Sequence, residues 1–231
     1  MPIRAVGFDL DGTLYPATAL YHKLIGKGLP NIRFLIAFGR VRRELRAMLT
    51  AQEFRARGIR GIEELHRYQA ELVAKRLRAD PERTYHEIET FFYTNAVEPF
   101  AMINPYPGVA GLLDQLRSSG LKMGALSDFP CERKLELLGL ANKFDVTMTS
   151  EETGFVKPDR ASFDLLAQRL GVSNNELLYV GNSEPYDVQG SLGAGMRAAL
   201  ISKNLSVRTA AEFTFFSFAR LGDYILSPNG H

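Results

Sequence analysis

The chain has 231 residues and a mass of 25.8 kDa, which is enough for one large domain or for one domain that carries an insertion. Hydrophobic residues make up 45% of it and charged residues 23%, so the composition excludes disordered, collagen-like and low-complexity proteins. With 28 basic and 26 acidic residues the net charge is +2, which does not favour a dedicated nucleic-acid-binding protein.

Strand-like and helix-like segments alternate along most of the chain. A short apolar run at residues 3–8 predicts a buried strand that ends at Asp9. From residue 16 to residue 100 apolar residues recur every three or four positions, which predicts helices at 34–48, 62–73 and 81–91. Beyond residue 105, predicted helices at 109–117, 132–138, 158–170, 186–194 and 217–226 separate predicted strands at 121–126, 145–148, 177–180, 197–201 and 213–216.

This alternation predicts an α/β fold with a Rossmann-like parallel sheet flanked by helices. We expect residues 1–15 and 100–231 to form the α/β core domain, and residues 16–99 to form an inserted all-helical cap domain. Residues 16–20 and 98–107 would then be the hinges of a cap that moves. In such sheets the ligand binds beyond the carboxyl ends of the strands, where the strand order reverses.

The cellular setting is predicted from the cysteine content and the apolar pattern. The single cysteine, Cys131, cannot form an internal disulfide, which suits a reducing compartment. The longest apolar stretches, such as residues 34–38, are far shorter than the roughly 20 residues that a membrane span needs, and no secretory signal is visible. We therefore expect a cytoplasmic protein, monomeric or homodimeric, that binds neither membranes nor nucleic acids.

Polar side chains follow several of the predicted strands. The segments in question are Asp9-Leu10-Asp11-Gly12-Thr13, Ser127-Asp128, Lys157-Pro158-Asp159, and Gly181-Asn182-Ser183 with Asp187. Because the carboxyl ends of parallel strands lie along one edge, we expect these groups to meet in one crevice.

The same four segments resemble the four motifs of the haloacid dehalogenase (HAD) superfamily. Residues 9–14 are similar to its D-x-D-G-T-L motif, Ser127 and Lys157 match its second and third motifs, and Gly181-Asn182-Ser183 with Asp187 and Ala194-Gly195-Met196 resembles its fourth. The resemblance covers residues 1–15 and 100–231. The helical insert resembles the C1-type cap of the family in position and helical character only.

The resemblance implies a phosphomonoesterase that depends on Mg²⁺ and acts on a small phosphorylated metabolite. Asp9 would attack phosphorus and form an aspartyl-phosphate, and Asp11 would act first as general acid and then as general base. The metal would be held by Asp9, by the main-chain carbonyl of Asp11 and by Asn182.

The remaining motif residues would surround the phosphoryl group. The resemblance implies that Ser127 and Lys157 neutralise its oxygens, and that Asp128 contributes at most a backbone N–H. Asp187 would orient Lys157 or a metal-bound water. Each residue also has a local interpretation, because serine and aspartate form turns and helix caps and a loop lysine is commonly solvated.

Two positions depart from the family pattern, and they keep other functions open. Asn182 replaces the usual aspartate, which removes one negative charge from the expected metal site, and Asp128 stands where the family often has asparagine. A catalytically weakened binding or regulatory protein is therefore one alternative, and a phosphomutase of the same fold is another. A dehalogenase is disfavoured because Asp11 is a phosphatase-type feature.

The insert contains a locally cationic segment. Its arginines are Arg40, Arg42, Arg43, Arg46, Arg55 and Arg57. One interpretation is a solvated helix face, and the other is attraction of a polyanionic substrate to the crevice. Tyr15, Tyr21 and His22 either line the gap between cap and core or pack at the hinge.

Overall fold

The computed structural model describes residues 2–17, 32–48, 59, 61–94 and 101–227. Within these residues one sheet has six parallel strands in the order β3-β2-β1-β4-β5-β6. The strands are β1 (Ala5–Phe8), β2 (Lys122–Ser127), β3 (Val146–Thr149), β4 (Leu177–Gly181), β5 (Arg197–Ile201) and β6 (Phe213–Phe215). The predicted α/β fold with a parallel sheet is therefore confirmed, and the strand order reverses between β1 and β4.

Helices cover both faces of this sheet. The core helices are α4 (Val109–Ser118), α5 (Glu132–Leu137), α6 (Arg160–Leu170), α7 (Gln189–Gly193) and α8 (Phe218–Leu226). Alternate residues of β1 point to opposite faces: Val6 and Phe8 pack in the cluster that includes α4 and α8, whereas Ala5 packs in the cluster around α6. The sheet is thus buried on both sides, as its nearly continuous apolar strands require.

Short helical turns complete the core. They are 3₁₀ turns at Ala141–Lys143, Ser150–Thr153 and Asn174–Glu176, and a π-helical turn at Glu184–Val188. The Ser150–Thr153 turn directly follows β3, and the Glu184–Val188 turn lies between β4 and α7. Both therefore lie beyond the carboxyl ends of strands, where the site is expected.

Helices make up most of the described part of the segment between β1 and α4. It contains α1 (Ile32–Met48), α2 (Ile62–Leu77), α3 (Pro81–Ile88) and a π-helix at Glu89–Thr94. These elements share an apolar cluster that includes Phe38 and Leu65 and also contacts Val156 and Phe129 of the core. The chain re-enters the core where the backbone N–H of Tyr106 donates to the Leu14 carbonyl at 2.8 Å.

Several sequence predictions fall outside the described residues. They concern Tyr21, His22, Arg55, Arg57 and parts of both hinges, residues 18–20 and 98–100. The two-domain division and the hinges stay predictions. Among the residues that are described, no helix is long and apolar enough to cross a membrane.

Candidate active site

The carboxyl ends of the central strands form the candidate site. Asp9 follows β1, Ser127 is the last residue of β2, and Gly181 is the last residue of β4. Since β1 lies between β2 and β4, the loops that leave these three strands are neighbours at the point where the strand order reverses.

Asp9 is buried and has a defined partner on each carboxylate oxygen. Its Oδ1 accepts a hydrogen bond from Lys157 Nζ at 2.6 Å, and its Oδ2 accepts one from the Thr13 hydroxyl at 2.7 Å. Burial, together with the nearby charge of Asp187, raises the pKa of Asp9 to about 7 against the opposing charge of Lys157. The carboxyl group is fixed in orientation, and additional positive charge beside it would favour its anionic form.

Lys157 connects the first and fourth motifs. Its buried ammonium donates to Asp9, to Asp187 Oδ1 at 2.8 Å and to the hydroxyl of Tyr179 at 3.3 Å. The two carboxylates outweigh the effect of burial and raise the pKa of Lys157 well above its usual value. This group therefore remains a cation at the base of the site.

Asp187 holds Lys157 and the loop after β4 together. While its Oδ1 binds Lys157, its Oδ2 accepts the backbone N–H groups of Asn182 at 3.1 Å and Ser183 at 3.0 Å. A Cβ on Gly181 would lie 2.3 Å from the Asp187 Cβ, so this close approach requires glycine. The arrangement orients the lysine through a buried carboxylate.

Asp11 has a different set of partners from Asp9. Its carboxylate accepts hydrogen bonds from the Tyr15 hydroxyl, from Ser127 Oγ at 3.2 Å, and from Lys134 Nζ at 3.1 and 3.2 Å. Burial opposes the charged form, but the charge of Lys134 and these hydrogen bonds lower the pKa of Asp11. The sequence interpretation missed Lys134. It lies in the first turn of α5, the helix that follows the Ser127 loop, and that position is the signal that could have identified it.

Ser127 and Asp128 form the turn after β2. The fully buried Ser127 hydroxyl donates to Asp11 and accepts the backbone N–H of Phe129 at 3.2 Å. Asp128, for which only a backbone contact with phosphate is predicted, also uses its carboxylate: Oδ2 lies 2.6 Å from Arg46 Nη2. Nearby cations outweigh burial and lower the pKa of Asp128. The backbone contact with phosphate stays a prediction.

Asn182 lies beside the loop that carries Asp9 and Asp11. Its side chain is exposed, and its Nδ2 would be 2.3 Å from a Cβ placed on Gly12. The predicted ligands of a metal are thus an Asp9 carboxylate, an Asp11 main-chain carbonyl and an Asn182 amide, all oxygen donors of the kind that Mg²⁺ prefers. Among the described residues, no group of three acidic, histidine or cysteine side chains could hold a metal. The donor set fits Mg²⁺ in type but supplies only one formal negative charge.

The cationic segment of the insert contributes to the contact with the core. Arg42 is buried and pairs with Glu151 in the turn after β3, while Arg40 and Arg43 are exposed. Glu151 is itself fully buried and also contacts His66 Nε2 and the Tyr93 hydroxyl, each at 3.0 Å. The described part of the segment, residues 40–46, is therefore neither a wholly solvated face nor a free cationic surface, because Arg42 and Arg46 are both paired with core carboxylates.

Comparison with known proteins gives consistent matches. Residues 3–195 match the family model described as haloacid dehalogenase-like hydrolase. A glyceraldehyde 3-phosphate phosphatase of Methanopyrus kandleri is 34% identical over 201 residues, covering 84% of this chain and 82% of that protein. A phosphoglycolate phosphatase of Rhodospirillum rubrum is 29% identical over 236 residues, covering 97% of this chain and 92% of that protein. The crystal structure of a HAD phosphatase from Thermococcus onnurineus has a TM-score of 0.62 at 22% identity, covering 97% of this chain and 98% of that one.

Proposed function

Because the chain belongs to the haloacid dehalogenase-like hydrolases, we propose that it hydrolyses small phosphoric monoesters through an aspartyl-phosphate on Asp9, with Mg²⁺ as cofactor. The predicted membership of this family is confirmed, and the relatives compared above are named as phosphatases. The observation that carries the proposal is the buried arrangement in which Lys157 joins Asp9 to Asp187 at the carboxyl edge of the sheet.

Asp9 is the proposed nucleophile. Thr13 and Lys157 fix its two oxygens, so one oxygen can attack phosphorus while the ester P–O bond breaks. Lys157, shared between two carboxylates, can also donate to the phosphoryl oxygens as their negative charge develops. Ser127, at the end of the neighbouring strand, would donate to another of these oxygens.

Asp11 is the proposed proton-transfer group. The first step needs Asp11 in its protonated form, which would give its proton to the leaving oxygen; the carboxylate so formed would then take a proton from the water that cleaves the aspartyl-phosphate. Ser127, Tyr15 and Lys134 are hydrogen-bonded to this carboxyl group and fix its orientation.

Mg²⁺, when bound, would supply positive charge that lets an anionic nucleophile approach an anionic ester. The residues that would hold it are Asp9, the main-chain carbonyl of Asp11 and Asn182. The neutral amide of Asn182 predicts a more weakly held ion than a second carboxylate would give.

The substrate class follows from the relatives and the mechanism. The two curated relatives are named for glyceraldehyde 3-phosphate and for phosphoglycolate, which are phosphate esters of three and two carbons. We therefore propose a phosphorylated metabolite of similar size as the substrate. A protein that binds phosphate without turnover is the second candidate, and the missing charge at Asn182 is the observation that favours it.

Turnover measurements separate the two candidates. The purified protein is assayed with p-nitrophenyl phosphate and a panel of two- and three-carbon phosphomonoesters, with Mg²⁺ and with EDTA. Hydrolysis that requires Mg²⁺ is expected, and its absence across the panel would favour the binding protein. Asp9→Asn should abolish turnover but keep the fold, because burial already disfavours the charged form of Asp9. Near wild-type kcat in this variant would contradict the covalent mechanism.

A further inference from the structure

Asp128 connects two loops of the candidate phosphate site. It directly follows Ser127, and its Oδ1 accepts a hydrogen bond from the Ser150 hydroxyl at 2.7 Å. The backbone N–H of Lys157 donates to the same oxygen at 3.4 Å. One buried carboxylate therefore ties the loop that carries Ser127 to the loop that carries Lys157.

The second oxygen of Asp128 binds the helical insert. Arg46 of α1 places its Nη2 2.6 Å from Asp128 Oδ2, and its guanidinium carbon lies 4.2 Å from the ring centroid of Tyr186. Tyr186 is the neighbour of Asp187 in the fourth motif. Arg46 thus contacts, from the insert, both the segment that carries Ser127 and the segment that carries Asp187.

A negative charge at this position requires compensation. A carboxylate close to a phosphate-binding serine repels the incoming dianion unless a cation neutralises it. The Arg46 guanidinium makes the shorter, charge-assisted contact with it, and only 21% of the Arg46 side chain and 11% of the Asp128 side chain are exposed. Arg42 Nη2 lies farther away, 3.9 Å from the same oxygen. Arg42, one turn earlier in α1, donates to the main-chain carbonyl of Asp128 at 3.4 Å.

We propose that Asp128 is a positioning residue which, when paired with Arg46 of the insert, holds Ser127 and Lys157 in the arrangement that binds phosphate. This role rests on the phosphatase function proposed above, in which both residues bind phosphoryl oxygens. Phosphate affinity then depends on the contact between insert and core. Replacing either Asp128 or Arg46 should weaken phosphate affinity to a similar extent. Replacing both should weaken it little more than one replacement does.

The test is a double-mutant cycle that combines Asp128→Asn and Arg46→Met. Affinity for inorganic phosphate is measured by calorimetry in Mg²⁺, and KM and kcat are measured with p-nitrophenyl phosphate. Each single variant should lose about tenfold in phosphate affinity, and its kcat/KM should fall by at least the same factor, because Ser127 and Lys157 also stabilise the charge that develops on the phosphoryl oxygens. The double variant should also lose about tenfold instead of the hundredfold expected for independent sites. Arg43→Met, at an exposed position of the same helix, should match the wild type.

Two outcomes would overturn this role. One is wild-type phosphate affinity in Arg46→Met, and the other is a double variant whose loss equals the product of the single losses. If Arg46→Met does not fold, Arg46→Lys takes its place, because it keeps the charge but removes the planar group over Tyr186. It should lose affinity by a smaller factor than tenfold, and unchanged affinity would overturn the role.

The proposed function can fail separately from this role. A wild-type protein that hydrolyses no phosphomonoester but binds phosphate in a way that depends on the Arg46–Asp128 pair would refute the phosphatase and support the positioning role. A wild-type protein with turnover, whose pair variants bind phosphate normally, would refute the positioning role alone.

Discussion

Replacing Glu151 by glutamine should reveal how strongly the insert is held on the core. Glu151 is fully buried and contacts three insert residues, which are Arg42, His66 and Tyr93. The substitution keeps the size of the side chain but removes its charge. The Arg42 side chain is only 5% exposed, and its guanidinium would keep Gln69 Oε1 at 3.2 Å as a neutral acceptor and the Asp128 carboxylate at 3.9 Å as a weaker ionic partner.

The expected loss of stability follows from this burial. Removing one partner of a buried ion pair typically costs about 3–5 kcal/mol, because the remaining charge is left without compensation and away from water. Since the glutamine amide oxygen can still accept one hydrogen bond from Arg42, and the Asp128 carboxylate stays 3.9 Å from its guanidinium, we expect about 3 kcal/mol, at the lower end of that range. In a protein of this size each kcal/mol lowers the unfolding midpoint by about 2–4 °C, so the midpoint should fall by about 6–12 °C.

The assay is thermal unfolding followed by circular dichroism, with guanidinium titration as a second measure of the free energy of unfolding. Glu152→Gln is the matched control, because its carboxylate lies 2.8 Å from Arg169 but both side chains are more than a third exposed. A pair this exposed contributes up to about 1 kcal/mol. If Glu151→Gln lost no more stability than Glu152→Gln, the buried contact would not hold the insert.

Further outcomes are expected at His66, Asp11 and Asn182. Although burial opposes the charged form of His66, hydrogen bonds and charge from Glu151 and Glu89 raise its pKa. The stabilisation from charged His66 should therefore be complete below the unfolded pKa of about 6.5 and be lost as pH rises through the folded pKa. The free energies of unfolding of wild type and His66→Gln, measured by denaturation, should converge toward alkaline pH. Asp11→Asn should slow hydrolysis of alkyl phosphates by about 10²–10⁴-fold and slow the first step with activated aryl esters less, and an equal loss with both would contradict its role as acid. Asn182→Asp should lower the Mg²⁺ concentration for half-maximal activity and enlarge the rise in unfolding midpoint that Mg²⁺ causes; if neither changed, Asn182 would not be a ligand.

The strands of the sheet could be predicted from the sequence because each one is indicated by a short run of apolar residues. The predicted strand at 197–201 matches β5 (Arg197–Ile201), and the strand predicted at 3–8 contains β1 (Ala5–Phe8). The helix predicted from residue 158 begins two residues later, at Arg160, because the Asp159 carboxylate accepts the backbone N–H of Ala161 at 2.9 Å and caps it. Because such capping involves residues close together in the chain, the prediction of this helix was wrong only in its first two residues.

The ion pairs of the site could not be predicted in the same way. Lys134 contacts Asp11 across 123 positions of sequence, and Arg42 contacts Glu151 across 109. Periodicity places each of these residues on a helix or in a turn, but it does not say which distant carboxylate the helix will face. The sequence therefore predicts the residues that follow the strands, while the carboxylates with which the cations of α1 and α5 pair become visible only in the folded chain.

The hydrogen bond between Tyr106 and Leu14 has an evolutionary consequence. It brings the two ends of the inserted segment together beside β1. The segment therefore leaves and re-enters the core at neighbouring points, as a closed loop does. The entropic cost of such a loop grows only logarithmically, by about 0.6 kcal/mol for each doubling of its length. A lineage could therefore lengthen, shorten or replace everything between these two residues in a single recombination event while the strands and their loops stayed intact. We expect such an exchange to change the side chains that the insert presents to the candidate site, while the residues at the strand ends stay the same.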